Sequence, residues 1–272
     1  MTPVSAQTGL GEAAVGVLRT GDARAKAKAA REIAALWRQD ALSPACDCPP
    51  DERPARPDKP ELRAPSDMPK RGRGGSLAKR IALLHALAHI ELNAIDLAFD
   101  MIARFGDGMP REFLDDWVGV GDDEARHFQM LADRLEALDS HYGALPAHDG
   151  LWQSAMQTAH DLAARLAVVP MVLEARGLDV TPGMIEKLKS MGDDESANCL
   201  KVIYEDEIAD VAAGHRWFCW LCAQHQTPPE TAFQTLVRWH FKGRVKPPFN
   251  TAGRNKAGLK SAFYAPLSAD SL

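Results

Sequence analysis

Four glutamates repeat one stride along the chain: Glu124 follows Glu91 by 33 positions, and Glu207 follows Glu174 by the same 33. Their surroundings repeat too. Glu91 opens E-L-N-A-I-D-L and Glu174 opens E-A-R-G-L-D-V, while Glu124 has His127 three residues on and Glu207 has Asp210 three residues on. Carboxylates and imidazole are both metal ligands. Residues i and i+3 of an α-helix lie about 60° apart around the axis and roughly 4.5 Å apart along it. Glu124 with His127, and Glu207 with Asp210, can therefore each grip an ion from one helix face. With all four segments helical, the pattern is that of a four-helix bundle holding two metal ions. Two helices give one carboxylate each, and two give a Glu-x-x-ligand pair. A 33-residue offset suits a helix of about 20 residues and a short return to an antiparallel neighbour.

Each acid has a blander reading, since charged helical residues are usually solvated. Glu91 departs from it because Leu87, Ala88, Ala94, Ile95 and Ala98 surround it at helical spacing. Burying its carboxylate unpaired there would cost several kcal/mol, so a proton, a cation or a metal is required. Glu174 follows the apolar V-V-P-M-V-L. Glu124 and Glu207 stand among other acids and carry the pattern only jointly with the rest. His85 and His89 precede Glu91 by 6 and 2 residues, which turns them about 120° and 160° away and makes them packing or supporting groups. His215 lies about 80° round the helix from Glu207 and two turns along, a poor ligand position. Tyr204, Asp96 and Asp179 read as structural, with hydrogen bonding to ligand carboxylates as the alternative.

The elements that must position these residues are helical throughout. Residues 9–41 show helical apolar spacing broken at Gly21-Asp22, which predicts one or two helices. Eight prolines between 43 and 75 argue against regular structure and predict either a disordered linker or, in preference, an extended strap with Leu62 and Met68 as anchors. A strong helix is predicted from Ser76 to Phe105 and a second from Pro110 to about Leu138. A third runs from Leu151 to Arg176, kinked at Pro170 and capped at Gly177. A short helix follows from Thr181-Pro182 to Met191, then a long one from Asp193 to about Gln224, and another from Pro228-Pro229 to Phe241. The tail reads as basic and irregular. No β-alternation of useful length exists, so the fold class is all-α. The corresponding division is an N-terminal helical extension (1–42), the Pro-rich strap (43–75), a bundle (76–226), and a C-terminal helix with its tail (227–272).

The 272 residues are 46% hydrophobic and 25% charged with a formal net charge of −5, values of an ordinary globular chain. That charge gives no reason to expect broad attraction to nucleic acid. No apolar run approaches the ~20 residues of a membrane span, and the N-terminus lacks the pattern of a signal peptide, so a cytoplasmic protein without a membrane partner is expected. Five cysteines argue against a disulfide framework. Cys46 and Cys48 with Cys219 and Cys222 could in principle join in a zinc site, but the spacing is unusual and reduced thiols are the expectation.

The segments L-L-H-A-L-A-H-I-E-L-N-A-I-D-L-A (84–99), D-D-E-A-R-H-F (122–128), V-P-M-V-L-E-A-R-G-L-D-V-T-P-G-M (169–184) and V-K-P-P-F-N (245–250) resemble the bacterial ferritin-like family catalogued as domain of unknown function 455. The likeness covers nearly the whole chain. It implies a ferritin-like four-helix bundle with extra N-terminal and C-terminal helices and a carboxylate-bridged metal pair. Glu91, Glu124, His127, Glu174 and Glu207 match the ligand positions. The family looks to have Glu-x-x-His in the fourth helix, where this chain has Asp210; aspartate is shorter, harder and anionic. The expected cofactor is a di-iron or iron–manganese pair, and the expected activity an oxygen-dependent oxidoreductase or hydroxylase. Its substrate would be an unassigned small molecule or nucleoside, with an electron-donor protein as partner; a homodimer is open. The basic tail (Lys242, Arg244, Lys246, Arg254, Lys256, Lys260) could contact phosphate. The competing reading is a non-catalytic metal-binding or interaction protein with a degenerate second metal position. Iron storage is a third.

Overall fold

A computed structural model describes residues 8–64, 67 and 76–269, and the chain divides into two compact units, residues 1–149 and 150–272. Among the described residues the structure is helical, with two isolated bridges, Gly9–Ser43 and Leu62–Ala147, and no strand.

The first unit contains α1 (Leu10–Leu18), α2 (Ala23–Arg38), α3 (Leu77–Phe105) and α4 (Arg111–Glu136). Asp22 starts α2 by accepting from the Ala25 N–H at 2.8 Å, satisfying a donor that the first turn would leave open. α3 is long and apolar enough to meet a length-and-composition test for a membrane span. Two thirds of its most apolar window is buried within the fold, however, as a core helix requires. It packs on α4 at close range: a Cβ added to Gly121 would sit 2.6 Å from Cε2 of Phe99, so only glycine admits that ring.

Residues 43–64 lie against these helices through backbone bonds. Ala55 N–H donates to Leu18 O at 2.8 Å, Arg63 N–H to Ala147 O at 2.9 Å, and Ala147 N–H to Glu61 O at 3.0 Å. Leu62, expected as an apolar anchor, is 43% exposed, and its contribution is the backbone bridge to Ala147. Met68 lies outside the described residues.

The second unit contains α5 (Gly150–Gln157), α6 (Leu162–Val168), a π-helical turn (Val169–Glu174), α7 (Ala175–Ser190), α8 (Asp194–Gln224), α9 (Pro229–His240), α10 (Thr251–Lys256) and α11 (Ser261–Ala269). The single kinked helix expected over 151–176 is instead broken. Buried Arg165 donates to Ala155 O at 2.8 Å and to Thr158 Oγ1 at 3.0 Å, closing the end of α5, and Asp161 caps α6 through the Ala164 N–H. α7 passes through Gly177 and Pro182, where a stop and a fresh start were expected. Pro182 has no N–H for Leu178 O, and Asn250 Nδ2 supplies that missing donor at 3.0 Å. The tail, expected to be irregular, forms α10 and α11 because Leu259, Phe263, Tyr264 and Leu267 are buried.

Candidate metal centre

In the first unit, α3 carries Glu91 and α4 carries Glu124 and His127, and all three are buried, at 3%, 0% and 0% exposure. His127 Nδ1 lies 3.5 Å from Glu91 Oε2 and 3.6 Å from Glu124 Oε2. These separations exceed the ordinary N–H···O range of about 2.7–3.2 Å. Two atoms bonded at ~2.1 Å to one ion, at tetrahedral or octahedral angles, are themselves roughly 3.0–3.5 Å apart. Glu91 Oε2 is buried and accepts no hydrogen bond. A buried anionic oxygen in that condition costs several kcal/mol unless a proton or cation meets it. One imidazole nitrogen converging on two carboxylate oxygens is a donor set that fits iron, manganese or zinc.

Other polar groups fix α3 around Glu91. Asp96, fully buried, pairs with Lys26 Nζ and with Arg56 Nε, the latter at 2.8 Å. Burial lowers the Lys26 ammonium from its usual range and raises the Asp96 carboxyl, while their opposite charges work against both shifts. Arg56 also donates to Asn93 Oδ1 at 2.8 Å. His89 bonds Tyr142 Oη through Nδ1 at 2.8 Å and His148 O through Nε2 at 3.1 Å, so its Nε2 carries the proton. His85 Nε2 accepts from the Gly143 N–H at 2.9 Å. Burial brings both imidazoles down to about 4, and they are neutral supporting groups turned away from the ligands.

In the second unit, Glu174 ends the π-helical turn, and Glu207 and Asp210 lie three residues apart on α8. Asp210 is buried, Glu174 and Glu207 half-buried, and one carboxylate oxygen of each is shielded from solvent. The turn before Glu174 is built around Pro170, and the Ala175 N–H reaches back five residues to Pro170 O. Gly214 on α8 makes room for it: a Cβ there would lie 2.5 Å from Pro170 Cβ and Cγ. Such π-turns are frequent at functional sites.

Tyr204 accepts from Asn250 Nδ2 at 2.9 Å, and Asp179 takes Arg254 in a two-pronged pair at 2.8 and 2.7 Å, so both tie the tail to the unit. His215 contacts Cys219 Sγ at 3.5 Å and packs on Phe263. The five cysteines are free thiols, and burial raises Cys46 and Cys219 to about 11. Arg254, read from sequence as part of an exposed basic tail, is buried.

Within the first unit, Glu91, Glu124 and His127 belong to a group of side chains that could hold a metal ion. Sequence reasoning missed the Lys26–Asp96–Arg56 cluster, whose members are 30 to 70 residues apart and leave no local periodicity to read.

Residues 19–265 match the family described as "Protein of unknown function (DUF455)". An uncharacterised protein of Haemophilus influenzae (strain ATCC 51907 / DSM 11121 / KW20 / Rd) is 40% identical over 224 residues, which is 78% of this chain and 75% of that protein. No solved structure matches.

Proposed function

The chain belongs to the family of unknown function DUF455, and on that premise we propose that it is a ferritin-like metal–carboxylate protein of the cytoplasm that acts as an oxygen-dependent oxidoreductase or hydroxylase. The observation that carries this reading is the buried Glu91 Oε2, without a hydrogen bond and 3.5 Å from His127 Nδ1. In the proposed ferritin-like bundle the metal pair would be held by Glu91 and Glu174 as terminal carboxylates, by Glu124 and Glu207 as shared ones, and by His127 and Asp210 at the two ends. A bound iron or iron–manganese pair would supply the binding and reduction of dioxygen.

The chain's own residues do the rest. The apolar face of α3 (Leu84, Ala88, Leu92, Ile95) keeps water from the carboxylates and strengthens their hold on a cation. The Asp96, Lys26 and Arg56 pairs and the His89 hydrogen bonds hold α3 in the rotation that presents Glu91. Electrons would come from a donor protein, and the substrate is a small molecule or nucleoside.

A second reading is favoured by one observation: where the first Glu-x-x-ligand pair has His127 the second has Asp210, which is shorter than an imidazole and anionic. On that reading the protein binds one ion firmly and is a non-catalytic metal-binding or interaction protein. Metal analysis with oxygen uptake by the Fe(II)-loaded protein separates the two. Two metals per chain and stoichiometric oxygen consumption support the enzyme; one metal without oxygen uptake supports the alternative.

A further inference from the structure

We propose that the second unit carries a separate binding cavity for a small organic anion, a carboxylate or phosphate joined to a compact apolar body. The cavity measures about 130 Å³, well above the ~10–15 Å³ that a single water needs. Met171 and Val172 of the π-helical turn, with Phe233, Phe241 and Phe249, give it apolar walls. Gly243 permits this shape. A Cβ there would lie 2.4 Å from Cζ of Phe241, so only glycine lets that ring fold back over the turn.

The charged lining is one-sided. Arg176, Arg244, Lys246 and Arg254 face a single acid, Asp179, giving three positive charges in excess within a chain of net charge −5. Asp179 is already committed, to Arg254 through both oxygens and to the Asn250 N–H at 2.9 Å. Arg176 is partly used in donating to Lys246 O and Pro248 O at 2.9 and 3.0 Å, which braces the tail against α7. Among the described residues Arg244 and Lys246 are exposed and have no acidic partner.

Exposed cations alone would be ordinary surface. The second observation is Tyr264, which lines the same cavity, is 2% exposed, and has a buried hydroxyl with no hydrogen-bond partner. Its ring is held flat against Arg254, whose Cζ lies 4.4 Å from the ring centroid. A buried phenol without an acceptor is unfavourable, and a ligand oxygen would remove that cost. An apolar enclosure with a few convergent polar groups is the ordinary form of a small-molecule site. In the complex the anionic head meets Arg244 and Lys246 at the mouth, an oxygen accepts from Tyr264 Oη, and the apolar body lies among the phenylalanines. None of these residues is a candidate metal ligand, so the cavity stands or falls independently of the proposed metal chemistry.

The test is calorimetric titration of the full-length protein with benzoate and phenyl phosphate, with inorganic phosphate and benzyl alcohol as half-ligands. Saturable one-to-one binding of at least one aromatic acid is expected, with each half-ligand roughly tenfold or more weaker. The preferred acid identifies the head group. Arg244→Ala combined with Lys246→Ala should weaken binding roughly tenfold or more, and Tyr264→Phe, which keeps the ring and the fold, several-fold. Metal content should be unchanged in both variants. The proposal is overturned if neither acid saturates below about 10 mM, if inorganic phosphate binds as well as phenyl phosphate, or if the variants bind like the parent chain.

Discussion

The two halves of the molecule display the same stride of acids on differently built scaffolds. In the first unit, Glu91 and Glu124 sit mid-helix on two uninterrupted helices of 29 and 26 residues, fully enclosed and beside a histidine. In the second, Glu174 closes a π-turn in a broken segment, Glu207 is half-buried, and an aspartate stands where the first unit has His127. The first half is anchored by a buried ionic cluster that joins α2, the extended segment and α3. The second is anchored by a tail that reaches back to α7. Equal spacing along the chain therefore does not mean equal ligand strength: the first half supplies a rigid, desolvated grip and the second a more adaptable one.

The sharpest way to break that comparison is to remove one acid from each half. Glu91→Ala should lower metal affinity about a hundredfold or more, while Glu174→Ala should cost far less, in metal content measured after dialysis. Equal losses would erase the asymmetry. Next in size is Asp96→Ala, which leaves the buried Lys26 ammonium without its carboxylate and should cost about 3–5 kcal/mol in urea denaturation. A variant as stable as the parent would remove the ionic anchor from the account. Asp210→His supplies the second half with the imidazole it lacks and should raise Fe(II) affinity roughly tenfold by calorimetry. Unchanged or weaker binding would show that the shorter ligand is not the limiting feature.

The smallest effect concerns acid. His85 is brought from 6.5 to about 4 by burial, with nearby His141 adding to the shift, so the folded chain holds it neutral while the unfolded chain takes up a proton. Its contribution is therefore complete above pH 6.5 and is lost as pH falls from 6.5 towards 4. His85→Gln should flatten that part of the stability–pH curve; an unaltered slope would contradict the neutral assignment.

Much of this was legible in the sequence where the signal is local. The apolar stripes of α3, α4 and α8 and the placing of His85 and His89 off the ligand face follow from helical periodicity alone. Errors arose where distant residues decide. Pro182 reads as a helix start, but Asn250, 68 positions later, provides the hydrogen bond that lets α7 continue. Arg254 reads as a surface cation, but Asp179 draws it inside. The break after α5 depends on Arg165 turning back onto Thr158, and the helical tail on burial of Phe263 and Tyr264. Asn250 and Asp179 lie far outside any helical window of the residues they govern, and Arg165, only seven positions after Thr158, acts through a side-chain bond that apolar periodicity does not register.

The central claim is that Glu91, Glu124 and His127 close on a cation. Anomalous difference maps from crystals of the full-length protein, recorded at the iron and manganese edges, test it most directly. The account predicts a peak bonded to Glu91 Oε2 and His127 Nδ1 at about 2.0–2.2 Å. Metal-replete crystals with no peak there, and with those two atoms joined by a direct hydrogen bond, would contradict it.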